Sequence, residues 1–179
     1  TSLLIGSVAG EVVDRAPCPV LVARSTTLRH VLLASDGSGV STAASEIVAR
    51  WPIFRATRIT VLSVGADPAP AVRPTSGGPR DGEERRDARG VAAAAASGLT
   101  ANGMDAVAEV VAGDPAAAIV DFAQRQSVDL IVLGSRGHSG WKRTVLGSVA
   151  RAVLSAAGTS VLIVRLPLAP PLPDQEIER

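Results

Sequence analysis

Four residues in the last third of the sequence form its clearest chemical pattern. Gly134, Gly137, Gly147 and Ser148 follow the spacing G-x2-G-x9-G-S. Because glycines lack side chains, several backbone N–H groups of such a loop can contact an anion directly. The serine hydroxyl adds one more hydrogen-bond donor. The pattern therefore predicts an anion-binding loop of the kind that holds phosphate groups.

Three other side chains in or beside this loop bear on its chemistry. Arg136 and Lys142 would add positive charge that attracts a phosphate. His138 is open to two interpretations, a contact to the phosphate or a solvent-exposed loop histidine. No general base is evident near the loop, so the pattern indicates binding rather than catalysis.

A second cluster, Asp36-Gly37-Ser38-Gly39, follows the first apolar segment. Such a run makes an efficient turn and helix start whatever its function. Asp36 would also lie at the same sheet edge as Gly134, because the carboxyl ends of parallel strands meet at one edge. This placement favours a role for Asp36 in the same binding site, and a purely structural turn is the alternative.

Apolar strand-type segments alternate with helical segments from residue 30 onward, and this alternation positions both clusters. The predicted strands are residues 30–35, 58–64, 105–111, 129–133 and 160–165. The predicted helices are residues 40–51, 83–100, 115–126 and 143–157. Wholly apolar strands that alternate with helices indicate an α/β domain with a doubly wound, five-stranded parallel sheet. Its ligand site is expected outside the first and fourth strands, where the strand order reverses.

The remaining segments set the domain boundaries. Residues 65–82 contain four Pro and four Gly and are predicted to form a loop. The α/β domain spans residues 26–166, and residues 167–179 are interpreted as a Pro-rich tail.

An internal repeat concerns the first residues of the chain. Residues 5–24 align without a gap to residues 146–165, and nine of the 20 aligned residues are identical, where chance gives about two. Residues 1–25 are therefore interpreted as the last helix and strand of a preceding, similar domain in a tandem protein. A general likeness between helix–strand pairs rich in Ala and Val is the alternative.

The composition excludes several classes of function. The chain has 179 residues and a net charge of +1, which argues against a general binder of nucleic acids or membrane surfaces. Aromatic residues make up 2%, too few for a base-stacking surface. No apolar run reaches the roughly 18 residues of a membrane span. With one cysteine, Cys18, no intramolecular disulfide forms, and we expect a cytoplasmic protein in which Cys18 is a small buried residue.

Three related nucleotide-binding or signalling patterns are absent. A P-loop needs Gly-Lys-[Ser/Thr], but Lys142 stands between Trp141 and Arg143. A dinucleotide-binding fold needs G-x-G-x-x-G after the first strand, but Thr42 stands at the last glycine position. The acidic pair and late-strand lysine of a phosphorelay receiver are also missing.

The glycine pattern, together with D-G-S after the first strand, resembles the universal stress protein family over residues 30–165. The resemblance implies an adenine-nucleotide alpha hydrolase-like (Rossmann-like) fold that binds ATP. By position, it places Val64 and Leu133 around the adenine, and Asp36 at the ribose or at a phosphate-bound Mg²⁺ ion. The residues that the resemblance implies at the nucleotide are Ala34, Asp36, Gly37, Val64, Leu133, Gly134, Arg136, Gly137, His138, Gly147, Ser148 and Val149.

These features lead to a functional hypothesis and to two alternatives. The hypothesis is an ATP-binding protein of stress response or signalling, in which ATP is a regulatory ligand that adjusts association with itself or with a regulatory protein. Any ATP hydrolysis would be slow, because no oriented nucleophile is evident. The alternatives are an interaction module of the same fold that uses no nucleotide, and an adenylyl-chemistry enzyme, which would need further charged residues at the strand ends.

Two apolar edge strands make assembly an expectation as well. The family resemblance implies pairing of domains through the fifth strand, here residues 160–165, and the repeat supplies an equivalent strand at residues 19–24. The linker, residues 25–29, spans at most about 18 Å. Because it must also reach the first strand in the sheet interior, we expect the two strands to pair between chains, as a dimer or higher oligomer. Pairing within one chain is the alternative.

Overall fold

One mixed β-sheet of six strands organises the computed structural model, which describes residues 7–65, 81–137 and 146–166, with the backbone alone for residues 7–9 and 81–86. The strands are β1 (Val20–Val22), β2 (His30–Ala34), β3 (Arg58–Gly65), β4 (Asp105–Ala112), β5 (Leu130–Gly134) and β6 (Ser160–Val164). The helices are α1 (Ser7–Arg15), α2 (Gly39–Arg50), α3 (Asp81–Ala101), α4 (Pro115–Arg125) and α5 (Ser148–Ala156), with a short 3-10 helix at Pro52–Phe54.

The strand order is β1-β6-β5-β2-β3-β4. Strands β2 to β6 are parallel, and β1 is antiparallel to β6. The five parallel strands confirm the expected α/β fold class, and β1 adds a sixth strand at one edge. The order reverses between β2 and β5, so the loops that follow these two strands diverge from each other and leave a crevice between them.

Two apolar cores cover the two faces of the sheet. In β2, the side chains of Val31 and Leu33 pack on one face with α2 and α3, while Leu32 packs on the other face with α4 and α5. This alternation explains why the central strands are apolar throughout, since a strand that is covered on both faces has no solvent side. Within the described residues, no helix combines the length and the apolar character needed to cross a membrane.

Several element boundaries differ from those predicted. Strand β3 continues through Gly65, α3 already begins at Asp81, and the rest of the predicted loop, residues 66–80, lies outside the described residues. Helix α5 begins at Ser148 rather than at residue 143, because Gly147 has the extended backbone of an N-cap (φ −65°, ψ 159°). Residues 1–6, 138–145 and 167–179 also lie outside the described residues. Cys18 is exposed, so the prediction that it is buried was wrong.

The first helix and strand, residues 7–24, form a unit that we call the N-terminal unit. Its strand β1 pairs with β6 of the same chain, with Leu21 opposite Leu162. Leu162 is also the residue that aligns with Leu21 in the repeat, so a local twofold axis passes through this pair and relates the N-terminal unit to α5 and β6.

The expected pairing between chains was therefore wrong for this structure, and the direction of β1 explains why. Because β1 is antiparallel to β6, it ends at the edge where the parallel strands begin. The chain then crosses three strand spacings, about 14 Å, to enter β2, which is within the reach of the linker.

The linker is held by one carboxylate at this edge. Asp129, just before β5, accepts hydrogen bonds from the Thr27 hydroxyl (2.9 Å) and from the backbone N–H groups of Arg29 (2.7 Å) and His30 (3.0 Å). The hydrogen bond from the Arg29 N–H is the main cause of a lowered pKa of the Asp129 carboxyl. Partial burial opposes this shift, and the hydrogen bonds from His30 and Thr27 add to it. The ionised carboxylate thus stabilises the linker path.

We predict that Asp129→Asn lowers the free energy of unfolding at pH 7 by about 1 kcal/mol, since the group is near the surface. A lowered pKa in the folded state gives stability at neutral pH that is lost as the pH falls below about 4. When urea unfolding is measured from pH 7 to pH 3, the free energy of unfolding should therefore decrease less for this variant than for the wild-type protein. Asp121→Asn, at an exposed ion pair with Arg125, is the control. Equal acid slopes for Asp129→Asn and the wild-type protein would contradict the role of Asp129.

Candidate functional site

A cavity of about 340 Å³ lies at the carboxyl ends of β2 and β5, where the strand order reverses. Its size falls in the range of about 300–1,000 Å³ that is usual for small-molecule sites. Ten of the twelve residues predicted for the site line this cavity. They are Ala34, Asp36, Val64, Leu133, Gly134, Arg136, Gly137, Gly147, Ser148 and Val149.

The other two predicted residues do not line it in the described part of the structure. Gly37 is beside the cavity lining, and its φ of +79° is the left-handed conformation that a glycine adopts without strain. Its observed role is therefore to form the turn. His138 lies outside the described residues.

Six further lining residues were not predicted: Ser35, Ser41, Leu62, Pro115, Ile119 and Ala150. Pro115 and Ile119 belong to the first turns of α4, which starts at the same sheet edge. Asp114 is the N-cap of this helix and Pro115 is its first residue. Its approach to the cavity depends on how α4 packs across the sheet, which no local pattern encodes.

Two backbone hydrogen bonds shape the glycine loop. The Ser135 N–H donates to the Val164 carbonyl at the end of β6 (2.7 Å), and the Gly147 N–H donates to the Ser135 carbonyl (2.8 Å). The loop that follows β5 is thus joined both to β6 and to the start of α5. This connection brings together the first two and the last two residues of the G-x2-G-x9-G-S pattern.

The glycines of this pattern are also required by close contacts within the protein. A Cβ atom at Gly134 would lie 2.9 Å from Val40 Cγ1, and one at Gly147 would lie 3.2 Å from the Ser135 carbonyl oxygen. A Cβ atom at Gly137 would overlap the carboxylate of Asp36. The loop after β2 and the loop after β5 can therefore approach each other closely, and the cavity forms between them.

Helix α5 begins at the cavity without a side-chain cap. By contrast, the Asp114 side chain caps α4 by accepting from the Ala117 N–H (2.9 Å). The N-cap of α5 is Gly147, which has no side chain, and Ser148 is the first residue of the helix. The first-turn N–H groups and the helix dipole therefore favour an anion in the cavity, beside the Ser148 hydroxyl and the half-buried Arg136.

Asp36 holds its own turn and also lines the cavity. Its Oδ1 accepts a hydrogen bond from the Ser38 N–H (3.0 Å), and the Ser38 hydroxyl in turn caps α2 by accepting from the Ser41 N–H. The structure therefore shows the turn role of the aspartate. The two interpretations of Asp36 are compatible, since a carboxylate has a second oxygen and several lone pairs.

No cluster of three or more His, Cys, Asp or Glu residues suited to a metal occurs in the described ranges. Asp36 is the one acidic residue that the described cavity lining contains. Mg²⁺ is commonly held by one or two carboxylates together with phosphate oxygens of a ligand. This donor set fits Mg²⁺ that arrives with a phosphate, and does not fit an all-protein metal site.

Hydrogen bonds between buried serines stabilise one side of the cavity, where Ser35 and Ser41 belong to the lining. The Ser63 hydroxyl donates to the Ser35 carbonyl (2.7 Å), and the Ser41 hydroxyl donates to the Ser38 carbonyl (2.9 Å). These bonds satisfy buried polar groups that would otherwise destabilise the fold. They also fix the carboxyl end of β2, which precedes Asp36.

The universal stress protein family model matches residues 27–165, so the chain belongs to this family. A universal stress protein of Mycobacterium tuberculosis strain H37Rv is 31% identical over 185 residues, which covers 95% of this chain and 56% of the relative. The chain thus spans about half of the length of that relative. The family resemblance of the sequence is confirmed.

Solved structures of other universal stress proteins share the fold. One from Archaeoglobus fulgidus, in complex with dAMP, has a TM-score of 0.58 and 22% identity, and covers 79% of this chain and all of that chain. Another, in complex with cAMP, has a TM-score of 0.58 and 24% identity, and covers 78% of this chain and 98% of that chain. At such identities the likeness shows the fold alone.

We predict that Gly134→Ala lowers the free energy of unfolding by about 1–3 kcal/mol, because the added Cβ would overlap Val40. Gly98→Ala is the matched control, since an added Cβ on this exposed face of α3 meets no atom within 4 Å. It should instead stabilise the protein by about 0.5–1 kcal/mol, as alanine is the better helix former. Urea denaturation measures both. Shifts of the same sign in the two variants would mean that the close approach at Gly134 is not a constraint.

Proposed function

We propose that the cavity binds ATP together with Mg²⁺, and that the protein acts in the cytoplasm as a nucleotide-responsive member of stress response or signalling. The observation that carries this proposal is the convergence of the glycine loop, the uncapped start of α5, Arg136 and Asp36 on one cavity. The family membership and the dAMP and cAMP complexes of two relatives support an adenine nucleotide as the ligand class.

The phosphates would occupy the end of the cavity near α5. There the first-turn N–H groups of the helix, the Ser148 hydroxyl and the Arg136 guanidinium all offer hydrogen-bond donors, and the helix dipole adds positive potential. Charge-assisted hydrogen bonds from an arginine are among the strongest that a phosphate can accept. This end would therefore provide most of the preference for ATP over adenosine.

The adenine would occupy the apolar part of the lining. The side chains of Leu62, Val64, Pro115 and Ile119 all face this part of the cavity, and they come from β3 and from the first turns of α4. A flat apolar base buries its faces favourably between such side chains. The exposed edge of Asp36 would then meet the ribose hydroxyls or the Mg²⁺ ion that accompanies the phosphates.

We propose that ATP is a regulatory ligand rather than a rapidly used substrate. Phosphoryl transfer needs an oriented nucleophile and charge stabilisation. In the described part of the lining, Asp36 is the one carboxylate, and its Oδ1 already holds the turn at Ser38. Any hydrolysis would therefore be slow, and binding itself would carry the signal.

The test is calorimetric titration of the protein with ATP and with adenosine, in the wild type and in Arg136→Gln. We predict that the variant binds ATP about tenfold more weakly, because one charge-assisted hydrogen bond is lost, and binds adenosine within twofold of the wild type. Arg125→Gln, on the exposed face of α4 and outside the cavity lining, is the matched control. Absence of ATP binding in the wild type would contradict the proposal and favour the nucleotide-independent interaction module.

The same titrations with and without Mg²⁺ decide the role of Asp36. The variant Asp36→Asn keeps an oxygen that can accept from the Ser38 N–H and removes the charge. If the carboxylate holds Mg²⁺, the gain in ATP affinity on adding Mg²⁺ should disappear in this variant. If it holds the ribose instead, the affinity for adenosine should fall equally with and without the ion.

We further propose that the exposed apolar surface of the N-terminal unit packs against a second universal stress domain. Val12 and Leu21 are more than half exposed, whereas their repeat equivalents, Val153 and Leu162, are buried. In the C-terminal copy, Val153 lies in the core that α4 covers, and Leu162 lies in the core on the opposite face of the sheet, which α2 covers. A second domain of the same fold, in the same chain or in another copy, would cover Val12 and Leu21.

We predict that this chain by itself associates through that surface as its concentration rises. Leu21→Glu should shift the mass measured by light scattering to that of the monomer, because a charge would enter the apolar contact. Ile53→Glu is the matched control, since Ile53 is as exposed as Leu21 (57% and 55%) but lies elsewhere on the surface. The same mass for all three proteins would contradict this interface.

A further inference from the structure

Arg165, the residue after β6, has an unusual environment for a charged side chain. It is 5% exposed, and its Nη2 donates to the carbonyl oxygens of Val13 and Asp14, at 2.9 Å from the latter. Both carbonyls belong to the last turn of α1. The Arg165 Nε has no acceptor among the described residues. A buried cation is costly, so its position needs compensation from its surroundings.

The compensation comes from the N-terminal unit. The carboxyl end of a helix carries partial negative charge, and the two carbonyls that Arg165 contacts are part of it. Burial lowers the pKa of the Arg165 guanidinium, and the charge of Arg136 lowers it further, while the carboxylate of Asp14 raises it. Arg165 is therefore attracted to α1 and repelled by Arg136, which lines the cavity.

Two routes connect the end of α1 to the glycine loop. In the first, Arg165 follows Val164, whose carbonyl accepts from the Ser135 N–H, and the Ser135 carbonyl accepts from the Gly147 N–H. The contact between Arg165 and α1 thus fixes the end of β6 to which the loop is bonded.

The second route runs through an ion pair. The Asp14 carboxylate contacts both terminal nitrogens of Arg151 (2.9 and 3.2 Å), and the Arg151 N–H donates to the Gly147 carbonyl (2.9 Å). Both routes therefore end at Gly147, the N-cap of α5.

We propose that Arg165 is a positioning residue that couples the docking of the N-terminal unit to anion binding in the cavity. With α1 docked, Arg165 holds Ser135 and Gly147 in the arrangement that an anion requires. An anion beside Arg136 in turn offsets the repulsion between the two guanidinium groups, so each event strengthens the other. The coupling to ATP rests on the proposed function, whereas the positioning of the loop does not.

The repeat provides a matched control residue. Arg24 aligns with Arg165, and its guanidinium donates to the carbonyls of Leu154 (3.0 Å) and Thr159 (3.2 Å) near the end of α5. Leu154 aligns in turn with Val13, so each arginine makes one contact that is equivalent across the local twofold axis. Arg24, however, lies at the edge where the parallel strands begin, and the cavity lies at the opposite edge.

The first measurement uses hydrogen exchange by NMR on the full chain without ligand. Arg165→Met should speed exchange of the Ser135 and Gly147 amides at least fivefold relative to Arg24→Met, because the bonds at these two amides depend on the end of β6. Equal exchange of these amides in the two variants would overturn the proposal. If Arg165→Met does not fold, Arg165→Lys replaces it in the comparison, because lysine keeps the charge but lacks the planar set of donors. Exchange of the same two amides should then be at least twofold faster than in Arg24→Met.

The second measurement is the affinity for ATP and for adenosine. We expect Arg165→Met to bind ATP at least fivefold more weakly and adenosine within twofold, and Arg24→Met to bind both as the wild type does. ATP should also slow exchange of the β1 amides in the wild type but not in Arg165→Met. An equal loss in both variants would show general destabilisation and overturn the coupling. Absence of ATP binding in the wild type would refute the proposed function, and the ligand-free exchange would still decide the positioning role.

Discussion

The hydrogen bond from the Gly147 N–H to the Ser135 carbonyl is the contact on which the site depends most. It joins the loop after β5 to the start of α5, although eleven residues separate the two along the chain. Because Gly147 lacks a side chain, its Cα can lie close to the loop. Its extended backbone forms the N-cap at the same time, and its carbonyl accepts a hydrogen bond from the Arg151 N–H of α5. The uncapped end of α5 is thereby directed at the cavity, and its dipole becomes available to a ligand.

The fold and the location of the cavity could be predicted because both depend on local patterns. Buried parallel strands are apolar throughout, and the strand segments of the sequence are apolar for that reason. Ligands in such sheets bind at the strand-order reversal, which is where the loops after β2 and β5 begin. Close contacts at positions 134 and 147 leave no room for a side chain, so both positions are occupied by glycine. A sequence pattern can detect such glycines.

The features that could not be predicted depend on packing between distant segments. Ser41 and Ile119 line the cavity because of how α2 and α4 lie across the sheet. The expected pairing between chains rested on linker length alone, and it did not take account of the direction of β1. Cys18 is small and flanked by prolines, which is equally typical of a buried turn and of the exposed connection that the structure shows.

The ion pair between Asp14 and Arg151 makes the contact across the local twofold axis one-sided. The residue that aligns with Asp14 is Ser155, and the residue that aligns with Arg151 is Gly10. The reciprocal ion pair therefore cannot form, and two C-terminal copies placed against each other would lack both. A half-exposed pair of this kind contributes about 1 kcal/mol at most, or about fivefold in an equilibrium constant. The N-terminal unit thus associates with α5 and β6 in preference to an identical copy of either segment. The two copies of the repeat therefore differ enough in sequence to select each other.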